Sequence, residues 1–108
     1  MVRTVDDVGI VAAMRAGDSS GLAAAYDGYA NRLFTYCVTL LRDRDRAADV
    51  VHDTFIVAYQ RIGQLRDPTR LRPWLYAIAR NECLRTVRLQ ARSVPLEEAG
   101  AMTDPPVD

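Results

Sequence analysis

The chain contains no lysine: all 14 of its basic residues are arginine, set against 14 acids for a net charge of zero. Histidine occurs once, cysteine twice, and the longest uncharged apolar run, around residues 34–41, is too short to span a bilayer. Each absence excludes a class of function. His52 has no cysteine or second histidine near it, no glycine-rich phosphate loop is present, and no nucleophile is paired with a base, so nothing in the sequence supports an enzyme. Cys37 and Cys83 form no CxxC pair and sit inside helical patterns, as expected of reduced, buried thiols. The first residues lack a basic leader followed by an apolar stretch, so no membrane insertion is expected and the cytoplasm is the expected location. Asp49, His52 and Asp53 lie within one helical turn and leave a metal-binding helical bundle as a remote alternative. Such a bundle needs matching inward carboxylates on other helices, and none is evident, so no cofactor is expected.

What is present reads as one all-α domain. At 108 residues, 49% of them apolar, the chain can build a single core. Apolar periodicity predicts a compact bundle of about four helices within residues 1–92, followed by a flexible linker or tail over 93–108. The first helix covers 5–16 and stops at Gly17. Asp18, Ser19 or Ser20 caps the second, which runs to Leu41 with Leu22, Tyr26, Tyr29, Leu33, Cys37, Leu40 and Leu41 on its apolar face. Asp43 or Asp45 caps the third, where Ala47, Val50, Val51, Thr54, Phe55, Ala58 and Ile62 form the buried stripe and Asp49, His52, Asp53 and Gln60 the opposite face. Residues 63–72 read as a loop around Asp67 and Pro68, and Pro73 suits a first helical position.

Charge is strongly segregated beneath the neutral total. Residues 1–60 carry six arginines and eight acids, 61–92 carry eight arginines and two acids, and 93–108 carry four acids and no base. Arginine at that density focuses positive potential and attracts polyanions. Within 72–92, Leu75, Ala79, Cys83 and Val87, with Tyr76 beside them, make a core stripe. Trp74, Asn81, Arg85, Arg88 and Arg92 make a second stripe on another face. Guanidinium groups pair with phosphate, an amide reads a base edge, and an aromatic ring offers a stacking surface, so this stripe is equipped for nucleic acid. A solvated arginine face remains the alternative reading, and Trp74 is equally a core residue.

The order of segments carries a resemblance. Gly17-Asp18, Leu22, Tyr26-Asp27-Gly28-Tyr29 and Leu33-Phe34 are followed by DRDRAADVVHDTF from Asp43 and LRPWLYAIARN from Leu71. Together, over about residues 5–92, they resemble the second conserved region of bacterial sigma factors, most closely the extracytoplasmic-function (ECF) group of the sigma-70 family. The resemblance implies that the helix over 45–62 docks on the clamp of the largest subunit of core RNA polymerase through Asp49, His52, Asp53 and Gln60, with His52 standing where glutamine is more usual. It also implies that the 63–72 loop and the following helix recognise promoter DNA, especially the non-template strand of the minus-ten element, using Arg66, Arg70, Arg72, Trp74, Arg80, Asn81, Arg85, Arg88 and Arg92. The loop lacks phenylalanine and tyrosine, so base capture there would rest on backbone and polar contacts. Whole sigma factors of this group have a second helical domain for the minus-thirty-five element; here the chain stops in what reads as the linker. An anti-sigma protein is a further expected partner. The rival reading is a sigma-like interaction module that does not recognise DNA.

Overall fold

The computed structural model describes residues 6–93, the side chains of 92 and 93 excepted. Four helices form, α1 (Asp7–Arg15), α2 (Ser19–Leu41), α3 (Arg44–Gln60) and α4 (Leu71–Ser93), and no strand occurs among the described residues. The first three start on an aspartate that accepts a backbone N–H with its side chain: Asp6 from Gly9, Asp18 from Ser20 and Asp43 from Arg46. Capping selects Asp18 and Asp43 from the candidates in the sequence, because an extended backbone there aims the carboxylate at the orphan donors of the first turn. Those backbone N–H groups also hold the carboxyls of Asp18 and Asp43 below the usual range. Gly17 turns the chain between α1 and α2 with φ +78°, a value that favours glycine.

The 63–72 segment is not a plain loop. Two short 3-10 turns, Ile62–Gln64 and Pro68–Arg70, occupy half of it, and Ile62 belongs to the first turn rather than to α3. Helix α4 starts at Leu71, which puts Pro73 at its third residue, not its first. The first four N–H groups of a helix lack internal partners, so the missing proline donor costs nothing there either.

Helix α2 packs on α1, α3 and α4, and α3 packs on α4, around a core that includes Val11, Leu33, Cys37, Val51, Phe55, Leu71, Leu75, Ala79 and Cys83. Burying each leucine or phenylalanine contributes about 1.5–3 kcal/mol. Thr54, the one buried polar side chain of the described core, donates its hydroxyl to the carbonyl of Val50 at 2.7 Å, which removes the penalty of its burial. Both cysteines are free and buried, as expected. The Cys37 thiol is pushed up by its hydrogen bond with Cys83 and by burial.

Three residues placed on core stripes by periodicity are exposed: Tyr26, Leu40 and Val87. Steps of four residues advance a helix by one turn plus about 40°. Over three such steps from Leu75, Val87 has rotated about 120° away from the core, and Cys83 is the last buried residue among the described side chains of α4. Leu40 lies in the last turn of α2. Tyr26 meets Phe55 with ring centroids 5.0 Å apart, but at the rim of the core, where one side of the ring faces solvent.

Helices α1 and α2 approach so closely at Gly21 that a Cβ there would lie 2.7 Å from the Ala13 Cβ and from the Met14 backbone nitrogen. Gly28, in the middle of α2, has open space instead. Gly28→Ala should therefore stabilise the domain by about 0.5–1 kcal/mol through helix propensity, while Gly21→Ala should destabilise it by about 1–3 kcal/mol by forcing α1 outward. Urea unfolding of both variants checks this, and equal effects would contradict the close docking of α1.

Candidate nucleic-acid interface

The buried line Leu71, Leu75, Ala79 and Cys83 fixes the rotation of α4, and with it the direction of every polar side chain on the helix. Arg72, Arg80, Asn81, Arg85 and Arg88 are all exposed. Asn81 and Arg88 lie on the face opposite the buried line, at about 140° to 160° from its mean direction on a 100° helical wheel. Trp74 is half-buried and packed against the core. Arg92 belongs to α4, but its side chain lies outside the described residues, as does the 94–108 segment.

Arg85 is tethered. It donates to Glu82 at 3.4 Å, and both line a groove with Asp53, Ile56, Val57 and Arg61 between α3 and α4. The Glu82 carboxylate weakens the pull of Arg85 on an external phosphate, whereas Arg88 and Arg80 are in no ion pair among the described residues. The groove also joins the two faces expected from the sequence, since Asp53 comes from the acidic line of α3 and Arg85 from the arginine line of α4.

Arg66 and Arg70 are exposed on the connection between α3 and α4. Buried Leu65 and Leu71 pin that connection to the core, and Asp67 organises its turn by accepting from the Thr69 hydroxyl at 2.6 Å and the Thr69 N–H at 3.0 Å. The same two donors, the hydroxyl first, hold the Asp67 carboxyl low. From the other side Arg15 of α1 donates to the Leu65 carbonyl. Sequence reasoning missed Arg15 as a support of this connection, because a contact fifty residues away leaves no local pattern.

On α3, Asp49, His52, Asp53 and Gln60 are all exposed, as the periodicity predicts. Ile56 stands among them, 42% exposed, and was missed although its spacing from His52 and Asp53 places it on that face. With Leu22, Tyr26, Phe55 and His52 it lines an apolar groove against α2. The acidic face is therefore a polar rim around an apolar centre, a composition suited to binding another protein. Among the described residues no group of three or more metal-ligating side chains converges, and no helix is long and apolar enough to cross a membrane.

A four-helix unit with an arginine-lined connection and an acid-rimmed apolar face defines a class of binding domain. The chain belongs to the sigma-70 family: the family described as Sigma-70 region 2 matches residues 25–93, and the similar proteins make it a region 2 domain of the extracytoplasmic-function group. It is 29% identical over 73 residues to the ECF RNA polymerase sigma factor SigM of Bacillus subtilis, covering 68% of this chain and 44% of that protein. It is 35% identical over 72 residues to the ECF RNA polymerase sigma factor SigL of Mycobacterium tuberculosis, covering 66% and 41%. The ECF RNA polymerase sigma-E factor of Haemophilus influenzae is 29% identical over 98 residues, covering 91% and 51%. The chain thus spans about half the length of the curated relatives it matches, or less. No solved structure matches it.

Near the amino-terminal end of this surface, the Tyr29 hydroxyl donates to Asp7, its oxygen 2.8 and 2.9 Å from the two carboxylate oxygens. Burial, then the hydrogen bond to Asp7 and its charge, push the Tyr29 phenol up to about 12. A folded-state value above the ordinary 10 means that this stability is complete below pH 10 and is lost as pH rises towards 12. Ultraviolet titration should show one phenol ionising near pH 12 that is absent from Tyr29→Phe, and a variant spectrum identical to that of the parent would refute the Asp7 contact.

Proposed function

We propose that this domain directs RNA polymerase to promoters. It binds the clamp of the core enzyme's largest subunit through the outer face of α3, and the non-template strand of the minus-ten element through α4 and the connection before it. The observation that carries the reading is the placement of two exposed lines of opposite character on one packed frame: Asp49, His52, Asp53 and Gln60 on α3, and Asn81 and Arg88, flanked by Arg80 and Arg85, on α4. Membership of the sigma-70 family supports it, and the names of the relatives tie them to RNA polymerase. The protein acts by binding and not as an enzyme. Arg66, Arg70 and Arg72 take phosphates around the opened strand, while Trp74 acts from beneath. The acidic, proline-containing residues 93–108 suit a linker leaving this domain. An anti-sigma protein would compete for the α3 face.

Asp49→Arg tests the polymerase side, since Asp49 is exposed and stands clear of the groove that Arg61 and Arg85 share. The variant should fold normally and bind core polymerase about tenfold more weakly at moderate salt, mainly through slower association. Unchanged affinity would remove α3 as the docking face.

Reading and positioning separate on the DNA side. Asn81→Ala should cost about 1–3 kcal/mol on the preferred minus-ten sequence and less on mismatched ones. Arg88→Ala should weaken all sequences alike and reduce the slope of log affinity against log salt by about one. Open-complex formation with polymerase, on promoters differing at single minus-ten positions, distinguishes the two. If neither variant altered it, the rival reading, a sigma-like module without DNA recognition, would be preferred.

A further inference from the structure

The connection between α3 and α4 contains no phenylalanine or tyrosine from residue 63 to 72, so any recognition it performs depends on where its backbone groups point. Between its two 3-10 turns the chain runs extended through Leu65 and Asp67. The Leu65 side chain is buried, and the Leu65 N–H donates to the Ile62 carbonyl at 3.1 Å. The next peptide, joining Leu65 to Arg66, is held differently. Its oxygen accepts from the Arg15 guanidinium and from no other donor among the described residues. A trans peptide directs its C=O and its N–H to opposite sides, so a carbonyl turned towards α1 turns the Arg66 N–H away from α1. Among the described residues that N–H has no acceptor, and the Arg66 side chain beside it is exposed.

Arg15 stands on a fixed base. It lies in the last turn of α1, which Gly17 and Asp18 close by donating to the Met14 and Ala13 carbonyls at 3.0 and 2.9 Å. Its neighbour Met14 is buried, α2 approaches closely there at Gly21, and α1 packs against both 3-10 turns. Among the described residues Arg15 is in no ion pair, so no carboxylate draws its guanidinium away from the carbonyl.

We propose that Arg15 is a positioning residue for promoter recognition: by holding the Leu65 carbonyl it fixes the Leu65–Arg66 peptide, and with it the direction in which the Arg66 N–H meets the strand. Arg15 itself touches no nucleic acid. This rests on the promoter-binding reading above, in which the connection meets the minus-ten element. A guanidinium on a phosphate strengthens binding to every sequence alike. One that orients a backbone donor acts most on the matched sequence, because only a matched base is placed to use that donor.

The test has two independent parts, both on the full 108-residue chain. Arg15→Met keeps an apolar stem and removes the donors, while Arg15→Lys returns a donor and the charge. Hydrogen–deuterium exchange of the free domain reads the brace alone. The amides of Gln64, Leu65 and Arg70 should exchange about tenfold faster in Arg15→Met, with α2 and α3 exchanging as in the parent, which also shows that the variant folds. Unchanged exchange at those three amides overturns the brace, whatever happens on DNA. The second part uses the domain on core RNA polymerase and fluorescein-labelled single strands that carry the minus-ten sequence the parent prefers, or single changes in it. Arg15→Met should bind the preferred strand about tenfold more weakly and the changed strands within about twofold of the parent, with the slope of log affinity against log salt unaltered. Arg15→Lys should restore the ranking. Equal weakening of all strands, with a slope smaller by about one, makes Arg15 a phosphate contact and overturns the proposal. If the ranking survives in Arg15→Met but collapses in Asn81→Ala, the proposal fails and the promoter reading stands. If Arg15→Met, Asn81→Ala and Arg88→Ala all bind every strand like the parent, both fall.

Discussion

The burial of one line of α4 against α2 and α3 is the constraint on which the rest depends. Leu71, Leu75 and Ala79 are fully buried and Cys83 nearly so, and each side chain can point inward at only one rotation of the helix. A rotation of about 100°, one residue's worth, would send Arg72 into the core and Leu71 into water, replacing a gain of about 1.5–3 kcal/mol with the cost of a buried charge. The outward direction of Asn81 and Arg88 is thus decided by residues that touch no partner. The same line holds the end of the connection, because Leu71 is at once the first residue of α4 and part of the core.

Electrostatics then sorts the exposed arginines by their neighbours. Arg46 is paired with Asp43 and Arg85 with Glu82, whereas Arg72 and Arg80 are in no ion pair among the described residues. An exposed pair adds little stability, but it dilutes the field that its guanidinium presents to a polyanion. A count of eight arginines between 61 and 92 therefore overstates the effective charge of any one face. It matters more that Asp53 and Glu82 line the α3 side of α4, beside Arg61 and Arg85. The helix has one flank tempered by Asp53 and Glu82, towards the proposed polymerase surface, and another where Arg72 and Arg80 are in no ion pair among the described residues.

Much of this was legible in the sequence, for reasons that differ by residue. The Asp18 and Asp43 caps and the buried line of α3 follow from local rules, since capping and helical period act within one turn, whereas Asp6, the cap of α1, falls inside the first helix as the periodicity draws it. Asn81 and Arg88 were legible because seven residues span almost two whole turns, so the stripe keeps its direction. Val87 was misplaced because steps of four drift, a small error per turn that accumulates over three. Ile56 was passed over because one apolar residue on a polar face resembles noise until its neighbours Leu22 and Tyr26 arrive from α2. The Arg15 support of the connection and the meeting of Tyr36 with Tyr76 depend on tertiary packing, which no local period encodes.

The groove of Asp53, Ile56, Val57, Arg61, Glu82 and Arg85 gives the two proposed surfaces a physical relation. Arg61 and Arg85 lie among carboxylates of α3 and α4, and a partner docked on α3 would take Asp53 out of water and engage it. Arg85 would then lose part of the negative field that now tempers it, leaving Glu82 as its tether. A guanidinium with fewer competing acids presents more of its charge to a phosphate. No helix has to move for this, since α3 and α4 are locked together by Phe55, Ala58, Leu75 and Ala79 in a shared core. Docking on the proposed α3 surface would therefore change the charge that Arg85 presents towards the proposed strand-binding side without any shift of a helix.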